Sequence, residues 1–384
     1  MSKGLNPIRR VVTGHDAQGR SNVTWDGPAP NSHEASMGSG KGHTDIWVWH
    51  ETPLPIHGQN DDGNLGYTFC GPPEGGHFRV VQGRPKPKDY DLSTDREIVA
   101  RHPPKLRNPG LGVWDQGGNS QFESAMHKTQ TLDYGIVIQG GRDLVLENAR
   151  LPMEVGDTVI QVGAWHQWSY PNGAQMAFDM IFAEFVDGPK GLVQGNDKPL
   201  PAPHLPSGVK PARRIVTVDE KEGEGKLVAD TAAPDVRFDP ARPGYASARL
   251  WVADGHPAKM VYETLHLPHT LEPPKNGSVC RVIDFPPDQT WKDHVGPAQV
   301  KAFFTSMGSP SASTYSPSAP HPYMQKTRTV DFCCILEGEI TLVLDTQEVH
   351  MKAGEVAVLR GANHAWSNRS LQPARVSVFS HDGK

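Results

Sequence analysis

The sequence predicts an all-β protein made of two related halves. Three observations lead there. A long segment, Met126 to Trp168 (MHKTQTLDYGIVIQGGRDLVLENARLPMEVGDTVIQVGAWHQW), returns without a gap at Met324 to Trp366 (MQKTRTVDFCCILEGEITLVLDTQEVHMKAGEVAVLRGANHAW), every matched position 198 residues later. Self-similarity at about half the chain length means two domains, not a solenoid of short units. Within each copy apolar and polar residues alternate at a period of two, between turn signals, the mark of short antiparallel strands. Helix signals are weak throughout.

The chain opens with a strand-like piece, Arg9-Arg10-Val11-Val12-Thr13, which recurs as Arg213-Arg214-Ile215-Val216-Thr217, so the repeat reaches far upstream of the long match. A Gly, Ser, Asn and Pro-rich stretch follows, to about residue 44. Its Gly38-Ser39-Gly40-Lys41-Gly42 lacks the spacing and following helix of a phosphate loop and is read as a turn-rich loop. Asp45–Trp49 pairs with Arg249–Val252, and Phe78–Val81 with Cys280–Ile283. The offset drifts from 204 to 202 to 198 along the chain, as loop insertions between fixed strands produce. Pro85–Pro109 and Ser309–Pro322 are expected as surface loops over a barrel mouth, or as plain connections. In the long match, Asp133–Ile138, Leu144–Glu147 and Asp157–Val162 are predicted strands, separated by Gly140-Gly141, Asn148 and Gly156. Prolines at 189, 199, 201, 203, 206 and 211 make the middle a semi-rigid connector. The expected organisation is an N-terminal domain over 1–188, a linker over 189–211 and a C-terminal domain over 212–384.

His127-x-Thr129-x3-Asp133-x6-Gly140, followed by Gly156-Asp157 and Gly163-x2-His166, resembles the two motifs of the cupin superfamily, a jelly-roll β barrel. The second motif is one residue shorter between its glycines than the family form. The C-terminal copy carries Gln325, Thr327, Asp331, Gly338 and His364 at the same places. The chain thus resembles two small cupin-2 proteins, with HxTxTxDY and GxNHAW signatures, fused in tandem. The resemblance implies two tandem cupin jelly-roll barrels and a metal set that is usually three His and one Glu. His127, Asp133 and His166 are its counterparts here, with Thr129 where a second His would stand. In the second copy only Asp331 and His364 remain, with Gln325 and Thr327 in the other two places, and a degenerate pocket is expected.

Two imidazoles and a carboxylate converging in a barrel suit Fe(II), favoured here, and also Mn, Ni or Zn. His127, Thr129, Thr131 and Asp133 share a face if the strand is regular, and a bend would still bring His127 and Asp133 together. Lys128 and Tyr134 are out of phase and should point away from the cavity. Asp157 reads as a turn residue. Two alternatives stand beside the metal. His166 and His364, each followed by a tryptophan, also suit a His packed on Trp at a turn. Without metal, a His beside a carboxylate in an apolar barrel can move a proton. The apolar lining is expected from Ile136, Ile138, Val159, Trp168 and Phe178.

Composition bounds the rest. The net charge of −5 is spread evenly, with no Lys/Arg run to suggest nucleic acid or membrane binding. No apolar run approaches the 18 or so residues of a membrane span, and Met1–Val12 lacks the core of a secretory signal. Only four cysteines occur; Cys333 and Cys334, adjacent in a strand pattern, read as core residues rather than a bridge, and the setting as reducing and cytoplasmic. The predicted partners are a small-molecule substrate and the second barrel packed against the first, and a homodimer is compatible with this. The resemblance implies an enzyme on an aromatic or polyketide-like substrate, by dioxygenase-type cleavage or by dehydration or isomerisation. A non-catalytic binder or structural bicupin is the competing reading.

Overall fold

The computed structural model describes residues 4–35, 39–65, 70–107, 112–184, 200–221 and 223–384. Gly38 of the glycine-rich loop and most of the expected linker, residues 189–199, lie outside them. Almost everything described is strand, turn or loop. Apart from four single-turn 3-10 helices, the exception among the described residues is one α-helix, Pro297–Ser306, which the weak helix signals did not predict. Proline at its first position fits the unpaired N–H of a helix start, and Val300, Phe303 and Phe304 bury one face of it.

Two eight-stranded sheets dominate. One runs, in spatial order, Glu224–Ala232, Arg213–Lys221, Thr158–Val162, Thr131–Gly140, Asn172–Phe182, Gly76–Pro85, Gly42–Trp49 and Asn31–Glu34. The other holds the equivalent strands of the second half, with Arg9–His15 and Ser21–Pro28 at its end. A three-stranded sheet closes each barrel: Arg150–Met153, Arg142–Val145 and Gln167–Ser169 in the first, Glu348–Lys352, Glu339–Leu344 and His364–Ser367 in the second. The strands read from the sequence are present, except that the one expected at Leu144–Glu147 is shifted to Arg142–Val145, with Leu146 and Glu147 past its end.

The halves exchange their opening strands. Arg9–His15 runs parallel to Val356–Arg360, pairing Arg10, Val11 and Val12 with Val356, Ala357 and Val358. Arg213–Lys221 runs parallel to Thr158–Val162, from Thr158 opposite Arg214 to Val162 opposite Val218. Matching ion pairs pin both arms: Arg9 to Glu355 at 2.9 Å, and Arg213 to Asp157 at 2.7 Å. Sheet membership therefore crosses the sequence division at residues 9–28 and 213–232.

The sheets pack on one another through a shared apolar layer that is the largest core in the molecule. Phe78 stacks on Phe332 at 5.0 Å, Trp49 meets Phe332 at 5.4 Å, and the Tyr134 hydroxyl bonds Ser278 at 2.8 Å. Each central strand is thus covered on both faces, one towards its own barrel and one towards the other half. Ile136 and Ile138, expected to line a cavity, belong to this shared layer. Val159, Trp168 and Phe178 face the barrel interior as expected. The four cysteines are buried and free. Among the described residues no helix is long and apolar enough to cross a membrane.

Candidate active site

The N-terminal barrel holds an open cavity of about 220 Å³. His127, Asp133 and His166 all line it, beside Trp168, Phe178 and Met180. The histidines are brought together by their backbones. Strand His127–Thr129 is followed by a bend at Gln130 before Thr131–Gly140 begins, so the chain turns between His127 and Asp133. His127 N–H donates to the His166 carbonyl and His166 N–H to the His127 carbonyl, each at 2.9 Å. Residues that exchange both backbone bonds sit side by side, and the rings lie 4.3 Å apart between centroids.

Each imidazole is held by Nδ1, which lies 2.8 Å from the carbonyl two residues earlier, Ala125 for His127 and Ala164 for His166. A carbonyl accepts only, so each Nδ1 carries the proton and Nε2 keeps its lone pair. That is the tautomer a metal-binding histidine needs. Burial lowers the His127 imidazole to about 4. Burial, with His127 adding to it, takes His166 well below the ordinary histidine value. His166 also meets Trp168 edge-on at 5.9 Å, so ring packing and a role in the cavity coexist.

Asp133 is 2% exposed, and its Oδ1 has no hydrogen-bond partner. Burial raises its carboxyl to about 7, partly offset by a hydrogen bond from Thr131. Thr129 and Thr131 are joined by a 2.7 Å bond between their hydroxyls. Thr129, in the place of a second histidine, thus ties the strand together below the carboxylate. Lys128 and Tyr134 are absent from the cavity wall, as their phase predicts. Lys128 bonds Asp219 at 2.6 Å. Asp157 accepts the Glu154 N–H at 3.0 Å, so it is a turn residue, and it also holds the exchanged arm through Arg213.

The donor set fits a metal in part. The two nitrogens are paired and correctly protonated. Asp133 shares their cavity, yet the three donor atoms are not gathered within 4.8 Å of one another. The described group that meets that spacing is His33, His43 and Asp45, on the hairpin of Asn31–Glu34 and Gly42–Trp49. There the Asp45 carboxylate is already bound by Arg79 at 2.8 Å, and a fixed guanidinium beside it opposes a second cation. The sequence reading did not single out this group, because its histidines fall in a hairpin outside the repeated motif.

Sequence reasoning also passed over Arg142. It opens the strand Arg142–Val145 directly after the turn at Gly140-Gly141. Gly140 has φ +71°, and a Cβ there would lie 2.2 Å from the Gly173 carbonyl oxygen, so only glycine serves. Arg142 is 3% exposed and lines the cavity. Its guanidinium carbon lies 4.5 Å from the ring centres of both Trp168 and Tyr170.

The second barrel repeats the plan with different chemistry. Gln325 and His364 exchange the same two backbone bonds, at 2.8 and 2.9 Å. His364 Nδ1 faces the Ala362 carbonyl at 2.9 Å, and the Gln325 amide nitrogen lies 3.3 Å from His364 Nε2. The lone pair left for a ligand in the first barrel is thus met by an amide here. Asp331 accepts from Thr329 at 3.0 Å. Burial raises its carboxyl, and burial lowers His364. The cavity they line holds only about 60 Å³.

The architecture is two jelly-roll barrels, each with its polar cluster at the inner wall, and the sequence is similar to several known proteins. The chain is 28% identical over 148 residues, 38% of its length and 79% of the relative, to Oryzines biosynthesis cluster protein J of Aspergillus oryzae. It is 28% identical over 167 residues, 43% of its length and 65% of the relative, to a cupin-domain-containing oxidoreductase of Aspergillus ruber. It is 32% identical over 101 residues, 25% of its length and 36% of the relative, to a cupin-domain-containing oxidoreductase of Hypocrea virens. The chain therefore spans less than two thirds of either named oxidoreductase. No family model matches. Among solved structures, a cupin 2 conserved barrel domain protein from Leptotrichia buccalis aligns over 80% of this chain and 83% of its own, with 11% identity and a TM-score of 0.32. Over part of its length the chain is thus similar to cupin-domain-containing proteins.

Proposed function

We propose that the N-terminal barrel converts a small organic molecule and that the chain is an oxidoreductase-type cupin enzyme of secondary metabolism. The observation that carries this reading is the His127–His166 pair. Both rings are fixed through Nδ1 on backbone carbonyls, and both line one cavity with Asp133. The names of the relatives, oxidoreductases and a biosynthesis cluster protein, support the class. His127 and His166 would hold a divalent metal through Nε2, Fe(II) first, with Mn, Ni or Zn as alternatives. Such a metal supplies Lewis-acid or one-electron chemistry at a substrate oxygen.

The protein's own groups do the rest. Asp133, with a carboxyl near 7 and an open Oδ1, exists in both protonation states at neutral pH and can take or give a proton. Trp168, Phe178 and Met180 present an apolar wall to an aromatic or polyketide-like substrate. The reaction is dioxygenase-type cleavage, or dehydration or isomerisation. The second barrel, with its smaller cavity and amide-capped His364, serves as the packing partner. A metal-free acid–base mechanism on the same residues is the second reading, favoured by Asp133 standing apart from the two nitrogens.

Elemental analysis after metal-replete, reducing purification separates the readings. About one equivalent of metal is expected, lost in His127→Ala and His166→Ala and retained in His364→Ala. A folded wild-type protein without metal would move the mechanism to acid–base chemistry. Oxygen uptake with catechols or quinols then tests cleavage against isomerisation.

A further inference from the structure

Arg142 is a buried cation, and among the described residues no carboxylate is paired with it. Nη2 donates to the Tyr170 hydroxyl at 2.8 Å, while Nε and Nη1 have no hydrogen-bond partner. Trp168, Tyr170 and Phe178 hold its plane, at 4.5, 4.5 and 5.4 Å. Cation–π contact offsets part of the lost hydration, but neutral rings leave the charge uncompensated, and burying such a charge is costly. Burial accordingly lowers its pKa, with Tyr170 acting in the opposite sense.

The barrel itself does not require this charge. The matched position 198 residues later is Ile340, 1% exposed in the core of the second barrel. The same strand thus packs with an apolar side chain. Tyr170, the partner that orients the guanidinium, corresponds to Asn368. The second barrel has neither the arginine nor the tyrosine at the matched positions, and the arginine in its own cavity, Arg242, clamped by Tyr245, Phe303 and Tyr323, is neutralised by Asp239 at 2.7 Å. Two further arginines line that cavity. Arg79 is neutralised by Asp45, and Arg107 is exposed.

We propose that Arg142 is the anchor for a carboxylate on the small molecule that enters the N-terminal barrel. The planar guanidinium matches a carboxylate in shape and charge. Its aromatic clamp fixes the plane before the ligand arrives, so little order is lost on binding. The rest of such an acid lies against Phe178 and Met180, with its reactive part towards His127 and His166. This deepens, and rests on, the reading of the cavity as a small-molecule site.

Calorimetric titration of the full chain tests it, using three matched pairs: benzoate with benzamide, cinnamate with cinnamamide, and hexanoate with hexanamide. At least one acid should bind tenfold or more tightly than its amide. Arg142→Met should reduce that acid to the affinity of the amide, and Arg142→Lys should lose only part of the preference. Retained acid preference in a folded Arg142→Met protein would overturn the anchor, as would equal affinity for acids and amides or no binding by any acid. Should Arg142→Met not fold, Tyr170→Phe with Arg142→Lys carries the test, and an acid preference unchanged in both counts against the anchor. Metal content, measured on the same samples, reports separately on the histidine pair. Acid preference retained in Arg142→Met with metal intact defeats the anchor alone. Equal binding of acids and amides leaves the small-molecule site standing.

Discussion

The exchanged arms make a sharp prediction for the fragment 1–188, the sequence-defined N-terminal half. Cutting there removes Arg213–Lys221 from beside Thr158–Val162. Ile215, Val216 and Val218 are each 0% exposed in the full chain. Fully burying a side chain of this size is worth about 1.5–3 kcal/mol, so losing three costs on the order of 5–9 kcal/mol as an upper estimate. The whole net stability of a domain is about 5–15 kcal/mol. The cut also exposes the backbone edge of Thr158–Val162 and leaves Arg9–His15 without Val356–Arg360. Because Arg9–Thr13 (RRVVT) and Arg213–Thr217 (RRIVT) are so alike, one fragment's arm can fill the vacant edge of another. The fragment is therefore expected as an arm-exchanged dimer or an aggregate. Mixing it with 189–384 should restore a monomer-sized heterodimer. Light scattering after gel filtration and a thermal melt by circular dichroism are the assays. A monomeric 1–188 fragment that melts cooperatively within a few degrees of the full chain would refute the reasoning.

Three further outcomes are expected. Asp133→Asn, in chelator-treated protein, should be more stable than wild type at pH 8, by up to about 4 kcal/mol at 1.36 kcal/mol per pKa unit. Burial raises Asp133 from 3.8 to about 7, so its favourable contribution is complete below 3.8 and is lost as pH rises through 7. Urea denaturation from pH 4 to 8 should show the gap opening over that window, and a pH-independent gap would exclude the cause. Phe332→Ala removes a fully buried ring between Phe78 and Trp49 and should cost about 3–5 kcal/mol, read by chemical denaturation. Gln325→His rebuilds the paired imidazoles beside His364, and metal titration should find weak new binding in the second barrel.

The candidate site was legible where chemistry and repeat agreed. His127, Asp133 and His166 were marked by motif and meet in one cavity. Arg142 was not, because a lone arginine after a glycine pair carries no motif. Its signal was present in the repeat all the same, as a charge facing Ile340 in the other copy. The lining was read half wrongly for a different reason. Alternation separates two faces only when one of them is wet, and Thr131–Gly140 is buried on both until its last two residues. Ile136 and Ile138 therefore satisfied the pattern while facing the other half.

By itself, the order of residues determined the class, the duplication, the position of each central strand and the two histidines whose neighbours along the chain fix their rings. Those features follow from local alternation, tight turns and internal likeness. Tertiary structure alone decided which barrel each opening strand joins, which face of a doubly covered strand meets the cavity, and that a guanidinium, paired with no carboxylate among the described residues, shares the cavity of the imidazole pair. Each of these depends on which distant surface arrives opposite, and no local pattern records that.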